Sequence, residues 1–283
     1  YRLVSWLTQK YALTTLPSVS SLRALRTFSQ RVQAKGPFIG FGDPLLKGHP
    51  SATRGIPVSE IYKRSTISGL SVANVNQIRH LGALPETADE LRVLALAAGG
   101  GEDNLFLRAK ATETNVKKLD LSQSRIIAFA THGLIAGQFK NAEPALVLTP
   151  PKTPSREDDG LLTASEIAQL KLNANMVILS ACNTAANDGS EGAEGLSGLA
   201  KAFFYAGSRS LLVSHWPVDT EAATRLTTEM MRQLAEDDQP GRSEALRRSM
   251  LTLMKDTDNP HFAHPLYWAP FVVVGEGGTY AVK

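Results

Sequence analysis

Two residues stand out for the chemistry they could do together. His132 and Cys182, the only cysteine of the 283-residue chain, lie 50 positions apart. A thiolate is a strong nucleophile, and an imidazole beside it can supply the proton that a departing amine requires. Each follows an apolar run of strand length. Arg125–Thr131 leads into His132, and Met176–Ala181 leads into Cys182. The second run is apolar without alternation, as in a parallel strand buried on both faces. In parallel sheets the carboxyl ends of the strands share one edge, where ligands bind. Two strand-end residues distant in sequence can therefore meet there. Gly133 leaves room beside His132 for a substrate backbone, because glycine has no Cβ. Backbone N–H groups at a tight glycine turn can stabilise an oxyanion. A plainer reading stands beside this one. A lone cysteine after a buried strand also behaves as a small core hydrophobe.

Other candidates carry less. His261 and His264 are three apart, but Pro260 and Pro265 break their segment and no cysteine or nearby helical carboxylate completes a ligand set. No metal and no cofactor is expected. Gly195-Leu196-Ser197-Gly198 is one residue too short for a serine-hydrolase elbow. Gly99-Gly100-Gly101 lacks the Lys-Ser/Thr ending of a phosphate loop and reads as a helix stop. The acidic segment Asp188–Glu194 reads as a solvated loop whose place after Cys182 also suits a gate over a substrate site.

The elements that must position the pair follow from periodicity. A possible strand covers Tyr11–Leu16, a helix Ser18–Arg31 and a strand Phe38–Phe41, with a Gly/Pro-rich loop over 42–57. A second unit begins near Leu84. Thr87 and Glu90 have capping-box spacing before a helix to about Ala98, and Thr163 and Glu166 repeat that spacing. Further helices are predicted over Ala111–Leu119, Leu196–Tyr205, Thr220–Glu236 and Ser243–Lys255. Further strands are predicted over Ala145–Leu148, Ser210–Ser214 and Trp268–Val274. The segment Pro150–Gly160, between the two chemical strands, reads as an exposed, nick-prone connection. Strands alternating with helices indicate an α/β fold with a mostly parallel sheet. The chain divides into residues 1–83 and residues 84–283.

Composition excludes several classes. Apolar residues make up 43% and charged residues 20%, which is too apolar for a disordered chain. A net charge of +3 from 30 basic and 27 acidic residues supplies no basic stripe for nucleic acid. No apolar stretch approaches the roughly 18–20 residues that cross a bilayer. No leader pattern is seen and the sequence begins at Tyr1, so a fragment or processed chain in the cytoplasm is expected. One cysteine precludes an internal disulfide.

Several stretches carry a family resemblance. Ala128-Phe129-Ala130-Thr131-His132-Gly133 resembles the histidine motif of the CHAT family, caspase-like proteins often attached to tetratricopeptide repeats. Leu179-Ser180-Ala181-Cys182-Asn183-Thr184-Ala185 resembles its cysteine motif. Leu16-Pro17-Ser18 with Leu22, Gly42-Asp43-Pro44, Gly160–Ile167, Gly195–Phe203, Ala206-Gly207-Ser208, Trp216-Pro217-Val218-Asp219 and Tyr267–Phe271 with Gly275 resemble further family markers in the same order. The 50-residue separation is also that of caspases. The resemblance implies a caspase-like α/β/α sandwich with a mostly parallel central sheet, in which residues 1–83 form a non-catalytic half packed on a protease half, residues 84–283. It implies a caspase/separase-type cysteine endopeptidase acting on a protein partner, regulated by an upstream region such as tetratricopeptide repeats. Cys182 would be the nucleophile, His132 its partner, and the N–H groups of Gly133 and Cys182 the oxyanion hole. Asp219 and Glu221 follow a segment that resembles the one reaching the specificity pocket in separase-like enzymes. They would favour a basic residue before the scissile bond, although Asp219 also suits a helix cap. His215 stands where the family usually has Leu. The alternative is a catalytically silent CHAT-fold scaffold acting by binding.

Overall fold

Short apolar runs, too short for helices, make the centre of the molecule. The computed structural model describes residues 1–16, 34–50, 65–67, 70–134, 143–181, 198–216, 218–235 and 240–278. The strands in chain order are β1 (Gly36–Pro44), β2 (Ser65–Ile67), β3 (Leu70–Val72), β4 (Leu105–Arg108), β5 (Ser124–Ala130) and β6 (Gly133–Leu134). They continue with β7 (Ala145–Val147), β8 (Leu161–Thr163), β9 (Met176–Leu179), β10 (Ser210–Ser214) and β11 (Phe271–Gly275). The helices are α1 (Val75–Arg79), α2 (Glu86–Ala97), α3 (Glu113–Lys118), α4 (Ala164–Ile167), α5 (Gly198–Ala206), α6 (Thr220–Leu234), α7 (Arg242–Met254) and α8 (Pro265–Trp268).

Among the described residues the main sheet has six strands in the order β11-β10-β9-β5-β1-β4. All neighbours pair in parallel except β10 and β11. Alternation along the strands sorts side chains onto two faces. Phe38, Ile126, Ala128, Met176, Ile178, Leu212 and Val273 enter one core with Leu91 and Leu94 of α2, Leu226 and Met230 of α6 and Leu246 of α7. Phe41, Ile127, Phe129, Val177, Leu179, Leu211 and Val213 enter the other, with Val116 of α3, Ile167 of α4 and Phe203 of α5. Burial on both faces is why β5 and β9 read as continuous apolar runs. The result is the expected α/β/α sandwich. β1, from the first 83 residues, lies between β5 and β4 of the same sheet.

A smaller antiparallel sheet of β6, β7 and β8 stands beyond the end of β5. At the opposite flank the opening segment lies along β11. Thr15 N donates to Val273 O at 2.9 Å, and Gly275 N donates to Thr15 O at 2.8 Å. This single bridge stands where a strand over Tyr11–Leu16 was expected.

Other departures have local causes. Trp268 ends α8 rather than opening a strand. Pro265 starts that helix, His264 Nδ1 accepts the N–H of Leu266 at 3.1 Å, and β11 begins only at Phe271. Thr87 is no cap. It is buried inside α2, its hydroxyl donates to Leu84 O at 2.8 Å, and it accepts the N–H of Asp43 at 2.8 Å. Thr163 and Glu166 do form a capping box, although α4 is only four residues long. The predicted helix over Ser18–Arg31 lies outside the described residues.

Candidate active site

The parallel strands present their carboxyl ends along one edge. β5 delivers His132 there, two residues past its last member, Ala130. The imidazole is 1% exposed. Its Nε2 lies 2.8 Å from the carbonyl oxygen of Gly82. A carbonyl only accepts, so Nε2 carries the proton and Nδ1 is the basic nitrogen of the neutral ring. The backbone around the ring is fixed as well. Val147 N donates to His132 O at 2.9 Å, and Thr131 Oγ1 donates to Val147 O at 2.5 Å. Gly133 follows in β6, buried and paired opposite Leu146.

β9 is the neighbour of β5 in the sheet and ends on the same side. Ser180 N donates to Phe129 O at 2.9 Å, so the pairing continues one residue past the strand. Ala181 is buried, and its carbonyl accepts Ser214 Oγ of β10 at 2.8 Å. Cys182, the next residue in sequence, lies outside the described residues, as does the acidic segment Asp188–Glu194.

Two residues at this edge escaped attention as contributors. Gly82 acts through its carbonyl, which every residue carries, so its type gives no signal. Asp43, the last residue but one of β1, sits at a β-bulge, with φ 42° and 5% exposure. Its Oδ1 stands 3.3 Å from Arg108 Nη1 at the end of β4. Burial pushes its carboxyl above the ordinary range, and Arg108 opposes that shift. The expected loop over 42–57 begins too early, because β1 runs on to Pro44 and buries Asp43.

The proposed specificity residues sit at the start of α6. Asp219 is its N-cap, and Oδ1 accepts the N–H of Ala222 at 3.0 Å. Glu221 is exposed and pairs with Arg225 at 2.7 Å, one turn along. His215 follows β10, with its N–H given to Pro270 O at 2.9 Å. Partial desolvation lowers its pKa from the usual histidine value. His261 and His264 are engaged elsewhere, His261 against Phe262 and Tyr267 and His264 against Tyr1.

Comparison with known proteins places the chain. The model of the CHAT domain matches residues 3–276. The chain belongs to the CHAT family. Among curated relatives, Tetratricopeptide repeat protein 28 of Mus musculus is 31% identical over 115 residues, which is 41% of this chain and 4% of that protein. The Homo sapiens protein of the same name is 30% identical over the same length. This CHAT chain thus spans only a small part of those relatives. Among solved structures, the Saccharomyces cerevisiae separase–securin complex contains a chain similar to it at TM-score 0.52 and 13% identity, covering 97% of this chain and 14% of that one. The Arg-specific cysteine proteinase gingipain R is similar at TM-score 0.49 and 10% identity, covering 92% of this chain and 52% of that one. The fold of this CHAT chain is caspase-like. Among the described residues, no helix is long and apolar enough to cross a membrane.

Proposed function

We propose that this CHAT chain is a cysteine endopeptidase of the caspase/separase type, cutting a protein partner in the cytoplasm through His132 and Cys182. The observation that carries the reading is the orientation of His132. Its imidazole is enclosed at the sheet edge, with Nε2 on the Gly82 carbonyl, one strand away from the strand that runs into Cys182. A histidine held in one tautomer is ready to exchange a proton at Nδ1. Cys182 is the nucleophile and forms the acyl bond. His132 first holds the thiol proton and then gives it to the leaving amine. The N–H groups of Gly133 and Cys182 are assigned to the oxyanion, and Asp219 and Glu221 to a basic residue before the scissile bond.

The relatives named for tetratricopeptide repeats and the separase bound to securin support a protein regulator. A repeat region or a separate inhibitor is the kind of partner proposed.

The deciding experiment uses a peptide carrying a thiol-directed electrophile. Covalent labelling of Cys182, located by mass spectrometry and lost in His132→Ala, is the expected result. No labelling at Cys182 in the folded chain, with or without candidate regulators, refutes the peptidase reading and leaves a scaffold.

A further inference from the structure

We propose that Asp159, together with Arg79, positions His132 by clamping the segment that carries the Gly82 carbonyl. This role rests on the peptidase reading above, and deepens it.

The segment 73–83 has little order of its own. Its helix α1 is five residues long, far below the length at which a helix persists unaided. Its placement comes from outside. Ile78 is fully buried in a satellite core with Leu46, Leu134, Ala145, Val147 and Leu161. Lys47 N donates to Arg79 O at 2.7 Å, and Gly48 N donates to Leu81 O at 2.9 Å. A Cβ on Gly48 would stand 2.5 Å from the carbonyl oxygens of His80 and Leu81, so this approach requires glycine.

The start of the arm and the last residue of α1 are held by the loop before β8. At the start, Asp159 Oδ2 accepts the N–H of Ala73 at 2.6 Å, while Oδ1 accepts that of Leu161 at 3.1 Å. At the end of α1, the Arg79 guanidinium donates to Pro151 O. The loop is in turn fastened to α3. Glu113 Oε2 accepts the N–H groups of Asp159 at 2.6 Å and Gly160 at 2.7 Å. Thr114 Oγ1 donates to Asp158 Oδ2 at 2.6 Å, and Lys117 Nζ donates to Glu157 O at 2.6 Å. The loop is exposed at Lys152-Thr153 and Ser155–Glu157 but anchored at both ends.

A chain of contacts therefore runs from α3 through Asp159 to Ala73, along the arm to Gly82, and onto Nε2 of His132. Charged acceptors make the stronger hydrogen bonds, which is why a carboxylate suits the junction. If the arm drifts, Gly82 O leaves Nε2 and its hold on the tautomer weakens.

The test reads the ring without turnover. Long-range 1H–15N spectra of the 15N-histidine-labelled chain, with the His132 signals assigned by their loss in His132→Gln, should show a proton on Nε2 alone. Asp159→Ala and Arg79→Ala should each give a mixture of both tautomers. Their kcat should fall about 10–100-fold with KM within about twofold. Asp159→Asn keeps one oxygen for Ala73 N but turns its NH2 toward the Leu161 N–H, so it should fall between the parent and Asp159→Ala. Unmoved His132 signals in folded Arg79→Ala and Asp159→Ala overturn the proposal. Should Asp159→Ala not fold, the tautomer in Arg79→Ala and Asp159→Asn decides. Because the spectra need no substrate, an inactive parent chain that shows these tautomer shifts upholds the clamp and counts only against the peptidase reading.

Discussion

His132 and His215 each follow an apolar strand at the same edge of one sheet, but their surroundings differ. His132 is enclosed. Its ring is held on Gly82 O, its carbonyl on Val147 N, and the segment bearing Gly82 is tied back to α3. His215 is exposed, and among the described residues its imidazole has a ring contact with Trp216, at 6.4 Å, but no hydrogen bond. Desolvation alone pushes its pKa down. A strand end supplies an address, but it does not supply an acid–base group. The second requirement is an acceptor that fixes the tautomer, and it comes from an unrelated part of the chain.

The contrast can be broken most directly by substitution. His132→Ala should lower kcat/KM of peptide cleavage by about 10³-fold, within the usual range for a general acid–base group, while His215→Ala should change it less than about threefold. Equal losses in steady-state assays would put both histidines in the machinery and dissolve the distinction.

Stability against pH separates the same two regions by sign. Burial pushes the Glu113 carboxyl up to about 8, with Lys117 opposing and Glu166 and Asp159 adding to the rise. Between about 4.5 and 8 the folded state then holds a proton that the unfolded chain has lost. Its contribution makes stability fall as pH rises, by at most ~1.4 kcal/mol per pH unit. His215 gives the opposite slope. Its lowered pKa contributes stability that is present above about 6.5 and lost as pH falls below it. Urea midpoints measured from pH 5 to pH 8 should lose their downward trend in Glu113→Gln and steepen it at the acid end in His215→Gln. A parent chain whose stability rises steadily from pH 5 to pH 8, unchanged by Glu113→Gln, would show that the Glu113 carboxyl ionises normally.

The smallest effect belongs to Asp219, on the His215 side. Loss of its cap in Asp219→Ala should cost about 1 kcal/mol in thermal or urea unfolding, and Asp219→Asn only a few tenths, since asparagine also caps. A peptide library profiled with Asp219→Asn separates cap from specificity. Loss of a basic preference places the carboxylate against substrate, whereas an unchanged profile leaves it as a cap.

Much of this architecture was legible in residues. The predicted runs Arg125–Thr131, Met176–Ala181 and Ser210–Ser214 became β5, β9 and β10, and their apolar character follows from burial on both faces. His132 was marked by its place after such a run. Gly82 was invisible because a carbonyl has no residue type, and its partnership with His132 spans 50 residues through a separate small core. The loop 150–160 misled in part. Its prolines and charges suggest solvent, but Asp158 and Asp159 turn inward because α3 and the arm offer N–H and hydroxyl donors. Thr87 and Glu90 have the spacing of a cap, yet Pro85 is the N-cap two residues earlier, and Thr87 is spent on Asp43.

The bridge between Thr15 and β11 has a consequence for how copies of this chain meet one another. β11 closes the sheet at that flank, and an open strand edge is a template for pairing with another molecule. The opening segment occupies part of that template with two backbone hydrogen bonds. Arg247 Nη1 fastens it to α7 by donating to Gln9 O at 3.1 Å, and Trp6 packs edge-on against Trp268 at 5.4 Å. Residues 1–16 thus act as a selvedge on the sheet. A chain trimmed past Thr15 would offer Val273 O and the Gly275 N–H to the next molecule, exchanging an internal bridge for self-association.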